Sequence, residues 1–569
     1  MKTGTEKSTY IFYSILILAA CISFVFTNVS YDAEYQLAMA YRIIKGDEMI
    51  TRMWEPHQTS AFLCAILMKI YMLVTGTTTG IVLFTQFAGL FIRAGISILL
   101  FKAIKEVSGE KPAMVAGVIF LLISPKELLT PEFGNMQLWF GTLMFLALNK
   151  YFKGKNIMWL IWAAFCLCLG VFSYPSFIIS YLAVIWILYR YSLNFKRDTI
   201  VFTSVCAIIG GAFVGYLLCN IDIEVLWKCL ENALSLEPSH TVSLRDKVFA
   251  HVRNVLKISG MLAGVGGIGF LVEMLWCRRK KKTAGGYEKF SGERWILFSW
   301  YILQIFFLLN ILSVKNRGGY AFSFLVILLL GFLKRNLLNG EERRIYYSAL
   351  SISAASLIAT LVLSDNAFLQ ATTYMLIAIC VSFIPLYHWY EELAADGFRK
   401  KMYVYGVHIF LLFVIFRCIF IHIPIYGRSQ ICSVLDDLAL IRSGPAIGII
   451  TDEEGAARQR DSMLEWEQYI QKGDTIWIIG EPVDTMGYLY EDVEVGAPTV
   501  MSTPTYNEKL LYYWELNPDK YPDVIIAASS FGELSWELAQ NEWLMQWLEE
   551  EYQAETIIDG NYWRYYIKK

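Results

Sequence analysis

Thirteen apolar runs limit what this chain can fold into. They lie near residues 10–27, 81–101, 113–124, 136–149, 157–171, 175–189, 199–219, 257–276, 295–314, 319–333, 346–363, 367–389 and 402–424. A helix needs roughly 20 apolar residues to cross lipid, and fewer when other helices surround it. The expected architecture is therefore a multi-span α-helical membrane protein with about 13 transmembrane helices. Composition agrees: 56% of the 569 residues are hydrophobic and 18% charged, where a soluble chain would carry more charge. The first run, "YIFYSILILAACISFVFT" (10–27), has the look of a signal peptide. The runs behind it make it an uncleaved anchor, with its short Lys-bearing N-terminus inside.

A net charge of −2 gives no reason to expect nucleic acid as a partner. The eleven Cys are scattered without CxxC pairs, and the six His form no HExxH. Neither a disulfide framework nor a cysteine metal site is expected.

A further run, "QTSAFLCAILMKIYMLVT" (58–75), has nearly the length of a span but carries Lys69. The positive-inside rule decides its placement. Basic clusters recur at "KYFKGK" (150–155), "FKR" (195–197), "CRRKKK" (277–282), 333–344 and "FRKK" (398–401). All of them fall on the cytoplasmic side if 58–75 lies flat on the outer surface, and all fall outside if it crosses. The flat placement is the expectation. It gives a transmembrane domain over 1–424, outer loops at 28–80, 125–135 and 220–255, and an extracytoplasmic domain over 425–569. In that last part "IGIIT" (447–451), "TIWIIG" (475–480) and "DVIIAA" (523–528) alternate with helical stretches at 506–516 and 541–552. The alternation predicts a small α/β unit. A plasma membrane of the cell envelope is the expected location.

The first outer loop opens with "YDAEYQLAMAYRIIKGD" (31–47), in which "AEYQLAMAYRII" (33–44) reads as an amphipathic helix along the membrane surface, closed by Lys45-Gly46-Asp47. Asp32 and Glu34 stand at its start, where a carboxylate can simply cap the helix. They can also serve chemistry, and other residues suggest a site. "SPKELLTPEFGNMQLW" (124–139) crowds Lys126, Glu127 and Glu132 between two short spans. Arg93 lies inside a span in its outer half, a costly position that normally faces a polar cavity and an anion. Lys315 and Arg317, in "VKNRGGY", are basic on the outer side against the general bias. An outward cavity with carboxylates and cations would suit a lipid-linked phosphate, head group in the cavity and tail in the bilayer.

These features resemble the GT-C superfamily of membrane glycosyltransferases. The residues that carry the resemblance are "YDAEY" after the first span, "AYRIIKGD", "WEPHQTSAFLCAILMKIYMLVTGTTTG", and Arg93 in the next span. The overlap is specific over about 28–140 and general, in hydropathy, up to about 424. It implies an enzyme moving a hexose or pentose from a polyprenyl-phosphate donor to an acceptor glycan, protein or lipid on the non-cytoplasmic face. It also implies Asp32 as general base, with Glu127 or Glu132 as the second acid. The chain has Asp-Ala-Glu where the family commonly has adjacent Asp-Glu, so Glu34 is the weaker match. Chemistry then assigns donor-phosphate binding to Arg93, with Lys69, Lys315 and Arg317 as further candidates. A single displacement would invert the anomeric carbon. Mg²⁺ or Mn²⁺ can bind paired acids, yet nothing in the sequence demands a metal.

His57 and Gln58, in "WEPHQ", are expected at the mouth of the cavity as substrate-binding residues, and His240 in the 220–255 loop is a similar candidate. A solvated histidine is the plainer reading of each. The competing function is a transporter or scaffold for cell-surface polysaccharide or lipid-linked sugar. Transporters more often show internal repeats and midplane charges, whereas polar residues here gather in outer loops.

Overall fold

The computed structural model describes residues 4–27, 31–236, 244–284, 292–312, 320–363, 368–393, 397–421, 438–480, 485–501, 507–530 and 533–568. The apolar runs fold as helices because, away from water, only a helix satisfies every backbone N–H and C=O within one segment. In order these are α1 (Gly4–Phe26), α2 (Tyr31–Lys45), α3 (Ala61–Thr75), α4 (Ile81–Ser108), α5 (Glu110–Leu122), α6 (Phe133–Gly154), α7 (Ile157–Ser173), α8 (Ser180–Tyr191), α9 (Phe195–Asn220) and α10 (Ile223–Leu236). Then follow α11 (Leu244–Ala284), α12 (Gly292–Leu312), α13 (Tyr320–Leu333), α14 (Gly340–Leu363), α15 (Leu376–Glu392) and α16 (Gly397–Ile421).

Local chemistry sets several ends. The Asn156 side chain accepts from Met158 N–H to start α7, and Gly76 closes α3 at φ 71° with its N–H on Met72 O. The last helix returns to the first: Ser23 Oγ donates to Ile419 O at 2.7 Å, and Tyr13 meets His408 Nδ1 at 2.6 Å.

Among the described residues eight helices are long and apolar enough to cross a membrane, and 157–173, 175–191 and 321–333 are shorter apolar helices. The chain is a multi-pass membrane protein. The stretch 58–75 passes the same test of length and composition, yet both its ends are fastened to the C-terminal domain. Before it, Trp54 N–H donates to Pro498 O at 2.8 Å and Val500 N–H to Glu55 Oε1 at 2.9 Å. After it, Thr78 Oγ1 donates to Leu489 O at 2.7 Å and Gly80 N–H to Gly444 O at 3.1 Å. A helix tied at both ends to one domain runs along that domain. Its exposed face, Ile66, Ile70 and Leu73, is what an interfacial helix turns toward lipid.

One loop departs from expectation. The 220–255 region is helical at both ends, with α10 at its start and α11 beginning at Leu244. The 41 residues of α11 span roughly 60 Å at 1.5 Å per residue, about twice the hydrocarbon core. Lys228 of α10 lies 3.8 Å from the Tyr512 ring, so this outer helix rests on the C-terminal domain.

That domain is a small α/β unit. Strands β3 (Thr475–Ile479), β4 (Glu494–Val495), β5 (Val524–Ser530), β7 (Thr556–Asp559) and β8 (Trp563–Ile567) order as β4-β3-β5-β8-β7, with β6 (Glu533–Leu534) beside β5. The first three run parallel and β8 and β7 antiparallel. The "IGIIT" stretch contributes β2 (Ile450–Asp452), which pairs with β1 (Leu438–Leu440) in a separate ribbon. Buried aromatics fill the interior: Trp514 stacks on Trp547 at 4.9 Å, and Trp563 Nε1 donates to Ser462 Oγ at 3.1 Å.

Candidate functional site

The short length of α5 creates the site. Thirteen residues of α5 against twenty-eight of α4 mean that the chain leaves α5 well before reaching the domain end of the bundle. The connecting segment 123–132 is thereby recessed among the helices. Irregular backbone at such depth persists only where protein buries it or a polar cavity solvates it. Burial by protein is visible. Gly89 of α4 sits so close that a Cβ there would lie 1.8 Å from Leu129 O. Arg93, fully buried, donates from Nε to Phe120 O and Leu121 O at 2.9 Å each. These are among the last carbonyls of α5, so Arg93 caps that helix and anchors the start of the loop. Its Nη1 and Nη2 are buried without a hydrogen-bond partner among the described residues.

Lys126 is the centre of the loop. Its φ of +54° is an uncommon conformation for a side-chain-bearing residue, held by the packed segments on either side. Its Nζ lies 3.0 Å from Asp32 Oδ1 and 3.9 Å from the centroid of the Phe133 ring. Asp32 is in the first turn of α2, and its side chain retains 37% exposure. The pair thus joins the first and second outer loops at an accessible position. Glu34 is partly buried in the same turn.

Glu132 stands behind this pair, fully buried, as the cap of α6. Its carboxylate accepts from Gly134 N–H at 2.8 Å and Asn135 N–H at 2.5 Å. Asn135 in turn donates to Leu128 O and Thr130 O, closing the loop on itself. Burial pushes the Glu132 carboxyl up to about 7, helped by the charge of Asp32 and opposed by Lys126 and the two N–H donors. Opposite it, Tyr374 brings its Oη so near that a Cβ on Gly134 would be 2.4 Å away. That hydroxyl, Ser124 Oγ and Thr130 Oγ1 are buried without hydrogen-bond partners among the described residues.

The other expected residues divide. His57 belongs to the site wall: its ring stacks on Phe133 at 4.3 Å and on Tyr174 at 5.0 Å, continuing the column that starts at Lys126. Gln58 instead ties its own turn, accepting from Ile50 N–H at 2.9 Å and donating to Glu55 O. Lys69 is exposed on the face of α3 that carries Ile66 and Ile70, away from the buried face at Cys64 and Met68. Glu127 ends the 3₁₀ turn Pro125–Glu127; its side chain, together with His240, Lys315 and Arg317, lies outside the described residues. The sequence noted Lys126 without giving it a part, read the "SYPSF" stretch that holds Tyr174 as a Pro-led turn between spans, and passed over Tyr374.

Arg42 organises a second charged group, beneath the domain. Its Nε donates to Asp47 at 2.7 Å and its Nη1 to Glu55 and to Pro498 O, each at 3.2 Å. Lys520 reaches Asp47 at 2.5 Å and Glu494 at 2.8 Å. Burial acts to raise Asp47, but Arg42 and Lys520 outweigh it and hold its carboxyl below the ordinary range. For Glu55 burial prevails over Arg42, and its carboxyl is raised.

No group of three or more His, Cys, Asp or Glu among the described residues has the arrangement to hold a metal ion. Mg²⁺ or Mn²⁺ asks for several oxygen ligands around one point. Here the space beside Asp32 is taken by the Lys126 ammonium, and this donor set does not fit such a cation.

No family model matches the chain, and no curated protein does. Similar solved structures include the Archaeoglobus fulgidus oligosaccharyltransferase tethered with an acceptor peptide, at 11% identity and TM-score 0.47, covering 91% of this chain and 69% of that one. The archaeal oligosaccharyltransferase AglB with an inhibitory peptide and a dolichol-phosphate aligns at 13% identity and TM-score 0.42, covering 92% and 70%. ArnT from Cupriavidus metallidurans bound to undecaprenyl phosphate aligns at 11% identity and TM-score 0.45, covering 100% and 99%. Both proteins belong to the GT-C superfamily of membrane glycosyltransferases. Likeness at this level is no basis for carrying residue roles across.

Proposed function

We propose that this protein is an integral-membrane glycosyltransferase that takes a sugar from a polyprenyl-phosphate donor and passes it to an acceptor on the outer face. The observation that carries the reading is the accessible Asp32 carboxylate held 3.0 Å from Lys126, over a recess of buried polar groups at the end of the bundle that meets the C-terminal domain. A cation to receive a phosphate and a carboxylate to receive a proton stand side by side, where a lipid-borne head group can enter from the bilayer.

In this mechanism the donor phosphate draws Lys126 away from Asp32, which leaves the carboxylate free as a base only when donor is seated. The acceptor hydroxyl oxygen attacks the anomeric carbon while Asp32 takes its proton. The bond from that carbon to the phosphate oxygen breaks, its electron pair stays on the phosphate, and Lys126 balances the new charge. Attack from the face opposite the leaving group inverts the anomeric centre. Glu132 and Phe133 position Lys126, and Arg93 acts by holding the loop to α5. We place Glu34 at the edge of the acceptor side and His57 in the wall.

The direct test is Asp32→Asn, assayed in membranes against a panel of radiolabelled polyprenyl-phosphate sugars. General-base catalysis supplies about 10²–10⁴-fold, so transfer should fall by at least about a hundredfold at parental expression and thermal midpoint. Parental transfer by this variant would remove Asp32 from the chemistry.

A further inference from the structure

At the end of the bundle opposite the C-terminal domain, the ends of α4 and α6 and the starts of α7 and α14 enclose a groove of about 520 Å³. It is independent of the Asp32 recess: α4 alone puts roughly 40 Å between its two ends. Five basic residues line the groove (Lys102, Lys105, Lys150, Lys153 and Arg344) against two acidic ones, Glu106 and Glu341. The acids do not neutralise it. Glu106 is shared by Lys150, at 3.8 Å, and Lys153, and Glu341 is engaged by Arg344 Nη2 at 3.2 Å. Lys105 turns to Glu110 at 3.7 Å, while Lys102 has no acidic partner among the described residues. Arg344 Nε is buried there without an acceptor among the described residues.

The floor is apolar. Leu99 and Leu143 continue the groove toward the middle of the bundle, and Trp159 and Trp162 stand on its rim with 40% and 50% exposure. Exposed indoles at the end of membrane helices mark the level of the lipid head groups. A basic patch serving topology alone needs no cleft, no apolar floor and no indole rim. We propose that this groove binds one anionic phospholipid of the leaflet on the basic face. Its phosphodiester lies against Lys102, Lys150 and Arg344, and its acyl chains run along Leu99, Leu143 and the indoles. Charge complementarity selects this occupant over a zwitterionic lipid, whose ammonium would meet the same cations.

The test uses full-length protein reconstituted in phosphatidylcholine bilayers carrying either brominated phosphatidylglycerol or brominated phosphatidylcholine, with tryptophan quenching as readout. The chain has 17 Trp, so the signal of the groove is the difference between parent and the Trp159→Phe/Trp162→Phe variant. Quenching of that component should need much less phosphatidylglycerol than phosphatidylcholine. Each of Lys102→Gln and Lys150→Gln should cut the preference about fivefold, as expected for one basic residue near an anionic lipid. Lys102→Arg should retain it. Equal quenching by the two lipids, or a preference unchanged in the Lys102→Gln/Lys150→Gln variant, would overturn the proposal. If that variant does not fold, Lys102→Gln alone decides, since its side chain is exposed and its loss leaves the bundle intact.

Discussion

Lys126 and Glu132 show how two residues can set the behaviour of a whole site. Glu132 is buried, with its carboxyl pushed up to about 7; Lys126, whose charge opposes that rise, is paired with Asp32. Below about pH 7 Glu132 is neutral and the ammonium has Asp32 as its remaining acid. Above it, the ionised Glu132 competes for the ammonium and loosens the Asp32 pair. Transfer should therefore rise as pH passes through about 7, and Glu132→Gln should flatten that limb of a pH–rate profile. Stability moves the other way. A carboxyl raised in the fold costs nothing below the ordinary glutamate range, and its full cost is present above about pH 7. Lys126→Gln should weaken the donor more than the acceptor, read as a larger change in donor KM than in acceptor KM. Asp32 stood out in the sequence as a candidate because a polar residue after a span contrasts with apolar neighbours. Tyr374 and Tyr174 did not, since one sits in an apolar run and the other in the short turn between two runs, and each reaches the site only through the packing of distant helices.

At the scale of elements, the recess depends on close approach to helix backbone at two glycines. Gly134 of α6 admits the Tyr374 hydroxyl, and Gly89 of α4 admits Leu129 O. Gly134→Ala should lower thermal stability by about 1–3 kcal/mol, the usual cost of overpacking, with loss of transfer. Adding Tyr374→Phe removes the clashing oxygen and should recover much of the midpoint in a detergent melting assay. If Tyr374→Phe gives no recovery, the contact is not what the glycine protects. Charge counting over the whole chain put 58–75 along the surface, and the contacts at its two ends give it a domain to lie against. The shortness of α5 could also be read from its run, 113–124. What could not be read is that α4 and α5 differ enough to sink the loop between them, because depth is a relation between two helices. Nor does a periodicity say that Arg93 faces the carbonyls at the end of α5.

For the whole molecule, the Arg42 cluster is the fastening between membrane and domain. Replacing Arg42 by Leu leaves Glu55 buried without its cation and Asp47 with Lys520 alone, at a cost of about 3–5 kcal/mol. Differential scanning calorimetry should register it as a marked drop in midpoint. Asp47→Asn/Glu55→Gln in the same background should restore part of it. Since Asp47 is held below its ordinary range, its contribution is complete above that range and is lost as pH falls through the lowered value. Added salt should change little, because these charges are out of solvent. The stretch "AYRIIKGD" stood out in the sequence, but its partners Lys520, Glu494 and Tyr513 lie more than 400 residues away, beyond the reach of any local pattern. This fastening also decides how the protein can be rearranged. A chimera that exchanges only the C-terminal domain would inherit lysines and carbonyls with no matching acids and arginine below them. The transplantable unit is the domain together with 42–55, so variation in what the domain contacts and variation in that short segment must travel as one.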